Sequence, residues 1–171
     1  MAKWVLKLKH LHTLRLKSGD EENQPWDLDL KPLSGHVNLS SIYLLGRLKN
    51  PSIVSEFPRS LSDLTLSGSG LMEDPMLKLD KLPNLKILRL LAKSYTGKLM
   101  LCPSGGFPQL RVLKIWKLEQ LEEWNVEEGA LQALRDLEIR TCIRLKMLPK
   151  ELLHRSLLEL KLTDMPSQFT A

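Results

Sequence analysis

Apolar and polar positions alternate in a fixed six-residue pattern that recurs along this chain: Leu-x-x-Leu-x-Leu, with Ile allowed. The copies read LHTLRL from Leu11, LSSIYL from Leu39, LSDLTL from Leu61, LKILRL from Leu85, LRVLKI from Leu110, LRDLEI from Leu134 and LLELKL from Leu157. Successive starts are 28, 22, 24, 25, 24 and 23 residues apart, and every apolar slot is Leu or Ile. The closing Leu-x-Leu of each copy has the period of two that marks a strand, with the leucines on one side and the intervening residues on the other. A repeat in the twenties means that one short unit is stacked many times, so neighbouring strands pair in parallel about 4.8 Å apart.

These features predict an α/β leucine-rich-repeat solenoid of about seven repeats, spanning residues 1–171 as one domain. Its short parallel strands line a concave face. The bulkier return segments, broken by Pro and Gly, form irregular and 3₁₀ arcs on the convex side. At most short helical pieces are expected around Met76–Leu82, Gly129–Leu134 and Lys150–Leu153, and the first copy is followed by an insertion at Asp20–Lys31. Eight residues after Leu134 comes Cys142, in a turn slot where a small polar or thiol group satisfies buried backbone. Ser69 matches it after Leu61, whereas Gly19, Lys93 and Leu118 stand there in other copies. The chain opens on Trp4-Val5, as if inside a repeat, and runs about nine residues past Leu162 without a polar cap. End-to-end self-association through the terminal repeats is therefore expected.

Composition narrows the function classes. The net charge is +5, but Glu119, Glu122, Glu123, Glu127 and Glu128 form an acidic block, so a uniform surface for nucleic acid is excluded. The block reads as a solvated convex face, or as a docking site for a basic partner. Lysines interrupt every apolar stretch near the N-terminus, and no segment approaches a membrane span. Asn38-Leu39-Ser40 has the form of a glycosylation sequon, but Leu39 fills a core slot. Cys102 and Cys142 read as free thiols in a reducing compartment, Cys142 buried, at least one layer apart and beyond the reach of a disulfide. His10 and His12 have no carboxylate or cysteine at ligand spacing, and Gly105-Gly106 is followed by Phe107-Pro108, not by a phosphate cradle. No catalytic, cofactor-binding or metal-binding residue is expected, which leaves a protein-interaction module.

The arcs carry a more specific signal. SGSGLMEDPMLKLDKLPNLKILRL (67–90), SYTGKLMLCPSGGFPQLRVLKI (94–115), LEEWNVEEGALQALRDLEI (121–139) and CIRLKMLP (142–149) follow one another in order. Together they resemble the C-terminal leucine-rich-repeat region of plant intracellular disease-resistance receptors of the coiled-coil, nucleotide-binding class. The resemblance implies a piece of a larger cytoplasmic receptor, with the nucleus as an alternative compartment. It implies recognition of a pathogen effector or of a host protein the effector modifies, and autoinhibition of a nucleotide-binding module. This chain has no phosphate-binding loop and no heptads, so nucleotide binding and signalling fall to other segments. The competing reading is a substrate-docking domain of a ubiquitin-ligase adaptor. Such adaptors carry more regular Cys-centred units, which only Cys142 matches.

Register places the candidate partner site on the outward positions of the second to sixth strands: Tyr43 and Leu45; Ile87, Arg89 and Leu91; Val112, Lys114 and Trp116; Glu138 and Arg140. Ser41, Asp63, Thr65, Ser67 and Asp136 complete the outward set. Leu91 and Trp116 stand apolar side by side, with Arg89 and Lys114 expected to form a cationic rim around that anchor. The alternative is that Trp116 folds over its neighbours. Surface changes such as Trp116→Ala and Arg89→Glu are expected to shift stability by about 0.5 kcal/mol or less.

Overall fold

The structure, a computed structural model, describes residues 3–19, 22 and 26–169. Its strands are β1 (Thr13–Lys17), β2 (Asp27–Leu28), β3 (Ser41–Leu45), β4 (Arg47–Leu48), β5 (Asp63–Ser67), β6 (Ile87–Leu90), β7 (Leu99–Cys102), β8 (Val112–Trp116), β9 (Glu123–Val126), β10 (Asp136–Arg140) and β11 (Glu159–Thr163). Seven of them, one from each leucine motif, form a single parallel sheet in the order β1-β3-β5-β6-β8-β10-β11.

The register keeps the motifs in phase. Leu14, Ile42, Leu64, Leu88, Leu113, Leu137 and Leu160 stand next to one another from strand to strand. In the interior layers these side chains and the other two slots of each motif are buried. On the last strand Leu160 is 45% exposed, because no strand beyond β11 covers it among the described residues. At the other edge a 3₁₀ turn, Lys3–Lys7, packs Val5 into the core. The fold is the expected leucine-rich-repeat solenoid.

The arcs depart from expectation in detail. Helix α1 (Met76–Leu79) and the 3₁₀ turn Lys150–His154 appear where helical pieces were expected. Residues 129–133 instead form successive turns, because Gly129 (φ 77°) and Leu131 (φ 57°) adopt left-handed backbone that no helix tolerates. A third 3₁₀ turn, Pro51–Glu56, is of the kind expected on the arcs, at a position the sequence did not single out. Asn50 starts it, its Oδ1 accepting from the Ser52 N–H at 3.3 Å and the Ser52 hydroxyl at 2.7 Å. Two minor parallel ladders also run along the arcs, β2–β4 and β7–β9. The second follows from alternation: Met100, Cys102, Trp124 and Val126 face inward while Leu99, Glu123 and Asn125 are exposed. Of the Asp20–Lys31 insertion, residues 20, 21 and 23–25 lie outside the described residues.

The turn slot after the strands is more regular than the sequence suggests. The residue preceding it takes left-handed backbone at Gly68, Lys93, Lys117 and Thr141, and the next residue is buried: Ser69, Ser94, Leu118 and Cys142. The turn after β6 holds one extra residue, so Ser94 occupies the slot and Lys93 is displaced to the exposed left-handed position. In the slot itself Cys142 Sγ lies 3.6 Å from the Arg140 carbonyl and 3.8 Å from that of Ile115. Cys102, on the arc ladder, accepts from Trp124 Nε1 at 3.5 Å. Burial pushes the Cys102 thiol up to about 12 and the Cys142 thiol up to about 11. Both are free.

Two outcomes follow from this packing. Leu113→Ala removes a fully buried side chain from an interior layer and is expected to cost about 2–5 kcal/mol, read by urea denaturation. Both thiols should resist alkylation at pH 8 until the chain unfolds, because burial suppresses the reactive thiolate as well as access. Rapid labelling of the folded chain would contradict the burial described here.

Candidate functional site

The in-phase ladder determines which side chains become neighbours on the solvent face of the sheet. All ten candidate residues, Tyr43, Leu45, Ile87, Arg89, Leu91, Val112, Lys114, Trp116, Glu138 and Arg140, lie on that face. Arg140 is exposed and the other nine are half-buried. Across the strands, Ile87 pairs with Val112, Arg89 with Lys114 and then Glu138, and Trp116 with Arg140. Tyr43 and Leu45 are set apart on β3, two strands from β6, with β5 between them. Tyr43 carries the Arg15 guanidinium 4.7 Å over its ring.

The electrostatics of this face differ from the expected cationic rim. Arg89 Nη1 donates to Asp63 Oδ1 at 2.7 Å and to Thr65 Oγ1 at 3.2 Å. Lys114 Nζ lies 3.2 Å from Glu138 Oε2. Both cations expected to frame an anchor are thus neutralised by carboxylates on adjacent strands. Partly exposed pairs of this kind contribute about 0.2–1 kcal/mol each. Thr65, expected to face outward, is only 4% exposed, with the Arg89 guanidinium bonded to its hydroxyl. Arg15, Tyr43, Asp63, Thr65, Arg89 and Leu91 line a shallow cleft of about 340 Å³ on this face.

Trp116 lies among its neighbours while staying half exposed. Lys114 Nζ is 5.5 Å and the Arg140 guanidinium 5.8 Å from its ring centroid. Its Nε1 is buried without an acceptor among the described residues, and an orphaned donor of this kind costs about 1–3 kcal/mol.

Sequence reasoning also missed cations beside the strands. Lys86, Arg111 and Arg135 follow the first leucine of three consecutive copies. The Arg111 N–H donates to the Lys86 carbonyl at 2.8 Å and the Arg135 N–H to that of Arg111 at 2.9 Å, so the three form adjacent rungs. The signal was a basic residue at the same slot of each copy. On the arc side the acidic block is partly paired: Glu122 lies 3.5 Å from Lys98 and 3.7 Å from Lys146, and Glu123 lies 3.5 Å from Lys146. Glu127 Oε2 accepts from the Ser104 N–H at 2.7 Å. A second cleft, of about 380 Å³, lies on that side between Trp124 and the Met147–Pro149 segment. Among the described residues no group of three or more His, Cys, Asp or Glu is arranged to hold a metal ion, and no helix is long and apolar enough to cross a membrane.

Comparison with known proteins finds plant disease-resistance proteins among the relatives. The chain is 40% identical over 144 residues to the Arabidopsis thaliana protein named Probable disease resistance protein RF45, covering 84% of this chain and 14% of that protein. Disease resistance protein RPP8 of the same plant is 42% identical over 138 residues, covering 80% and 15%. Disease resistance RPP8-like protein 3, also from Arabidopsis thaliana, is 41% identical over 143 residues, covering 83% and 15%. This chain therefore spans about one seventh of the length of the curated relatives it matches. No family model matches it.

The Arg89–Asp63 pairing replaces the expectation that Arg89→Glu is neutral. A carboxylate diagonal to Asp63 should cost about 1 kcal/mol, and adding Asp63→Arg should restore most of it. Trp116→Ala should stay within about 1 kcal/mol of the parent. A double variant no more stable than Arg89→Glu alone would show that the pair carries no stability.

Proposed function

The chain belongs with the plant disease-resistance proteins as a relative of one segment of them, and on that premise we propose that its strand face is the recognition surface of an immune receptor. The module docks protein and performs no chemistry of its own. Its partner is a pathogen effector or a host protein altered by one, met in the cytoplasm. In the resting receptor the same face holds a nucleotide-binding module supplied by another segment.

One observation carries the reading. Leu45, Ile87, Leu91, Val112 and Trp116 are all left partly open to solvent on one sheet face, while the leucines that alternate with them are buried. A face that only meets water is ordinarily polar, and clustered apolar side chains ringed by charge are the usual make-up of a binding hot spot. Seven strands alone offer roughly 300–350 Å², short of the ~800 Å² per partner of a standard interface. The partner must therefore also engage the rims of the sheet.

The test is capture of interactors from infected leaf extract on the immobilised chain, in parallel with Trp116→Ala and with Met72→Ala, an exposed residue on an arc. Proteins retained by the parent and by Met72→Ala but lost with Trp116→Ala support docking on the strand face. In the complete receptor Trp116→Ala should also cause cell death without pathogen. Equal retention by all three baits, with an inactive receptor, would remove this assignment. Recovery of a skp-type ligase subunit would favour an adaptor instead.

A further inference from the structure

Docking on the strand face leaves the chemistry of the partner open, and the charges along its two rims supply it. On the entry rim Lys86 and Arg111 are exposed and Arg135 half-buried, on successive rungs about 4.8 Å apart. On the exit rim Lys93 and Lys117 are exposed at left-handed turn positions, and Arg140 is exposed at the end of β10. None of these six is within ion-pair distance of a carboxylate among the described residues. Between the rims the charges cancel in pairs, Arg89 with Asp63 and Lys114 with Glu138. Asp136, beside Val112, adds one carboxylate to this floor. The floor is otherwise apolar, with Ile87 and Val112 toward one rim and Leu91 and Trp116 toward the other.

We propose that the surface formed by β6, β8 and β10 binds an acidic polypeptide segment carrying apolar anchors, its carboxylates reaching the two basic rims and its apolar side chains resting on the floor. This deepens the docking reading and rests on it. Six uncompensated cations on three adjacent repeats repel one another, and a polyanionic partner relieves that repulsion. The buried, acceptorless Nε1 of Trp116 points the same way, since a partner rich in carboxylates offers the missing acceptor once the ring tilts. Nucleic acid fits less well. Aliphatic Ile87, Val112 and Leu91 give bases little to stack on, whereas they suit the apolar anchors of a polypeptide.

The test uses the full chain with three probes of similar length: a random copolymer of glutamate and tyrosine, polyglutamate, and an oligothymidylate strand. The copolymer should bind best. Its affinity should fall about tenfold between roughly 50 and 300 mM salt, as screening shortens the reach of the rims. The triple change Lys86→Gln, Arg111→Gln, Arg135→Gln should weaken binding at least about tenfold, and Trp116→Ala should bring the copolymer down toward polyglutamate. Circular dichroism of each variant confirms that the fold is kept. If Trp116→Ala weakens binding but the triple variant does not, the acidic-partner proposal falls and the docking reading stands. If neither variant changes binding, the copolymer binds elsewhere and both fall. A parent chain that does not bind the copolymer, or binds oligothymidylate more tightly, overturns the proposal alone.

Discussion

Everything in this molecule depends on the leucine slots stacking in phase. The same motif position stands beside its counterpart from β1 to β11, so each interior leucine is sealed by the layer on either side. The contrast between Leu137, 1% exposed, and Leu160, 45% exposed, shows how much a neighbouring layer supplies. A fully buried leucine contributes about 1.5–3 kcal/mol, against about 1–2 kcal/mol to order each residue's backbone. One repeat cannot hold itself together, and several can.

The arcs reconcile returns of unequal length with that common phase. They use polar clamps between neighbouring repeats. Asp74 Oδ1 accepts from the Met76 N–H at 2.9 Å, and its Oδ2 reaches forward to the Leu101 N–H at 2.6 Å. Burial pushes the pKa of this carboxyl above its ordinary value, and its two backbone bonds oppose the shift. At Gly106 a Cβ would come within 2.9 Å of Asp80 Cβ and of the Pro103 carbonyl, so this turn admits glycine alone. The adjoining Phe107 accepts left-handed backbone, at φ 56°, in return for complete burial of its ring. These residues belong to the D-P-M and G-G-F-P-Q-L signatures that resemble the receptor family, which gives those signatures a mechanical reading. They join one arc to the next.

The strand face inherits its chemistry from the same register. Opposite charges meet because neighbouring repeats carry them at adjoining slots, and the centre of the sheet becomes nearly neutral. Among the described residues the six rim cations of these three repeats have no carboxylate within ion-pair distance, so they remain available. An apolar floor between basic edges is a consequence of which slots the ladder brings together.

The seven strands, their order and their inward leucines were legible from spacing alone, because a period of two inside a period in the twenties admits one stacking. So were the solvent-facing positions of the ten candidate residues, since side chains alternate along a strand. The sequence also marked Cys142 as a buried turn thiol. Tertiary structure decided what needs two repeats at once. Ser94, and not Lys93, fills the turn slot after β6, because one extra residue bulges the chain there. Trp116 lies among Lys114 and Arg140, and Arg89 bonds to Asp63 over Thr65, because side-chain reach across strands is a distance, which a linear pattern does not contain. The β7–β9 ladder was written in alternating Met100, Cys102, Trp124 and Val126, yet it became a sheet only when stacking brought two arcs within hydrogen-bonding range.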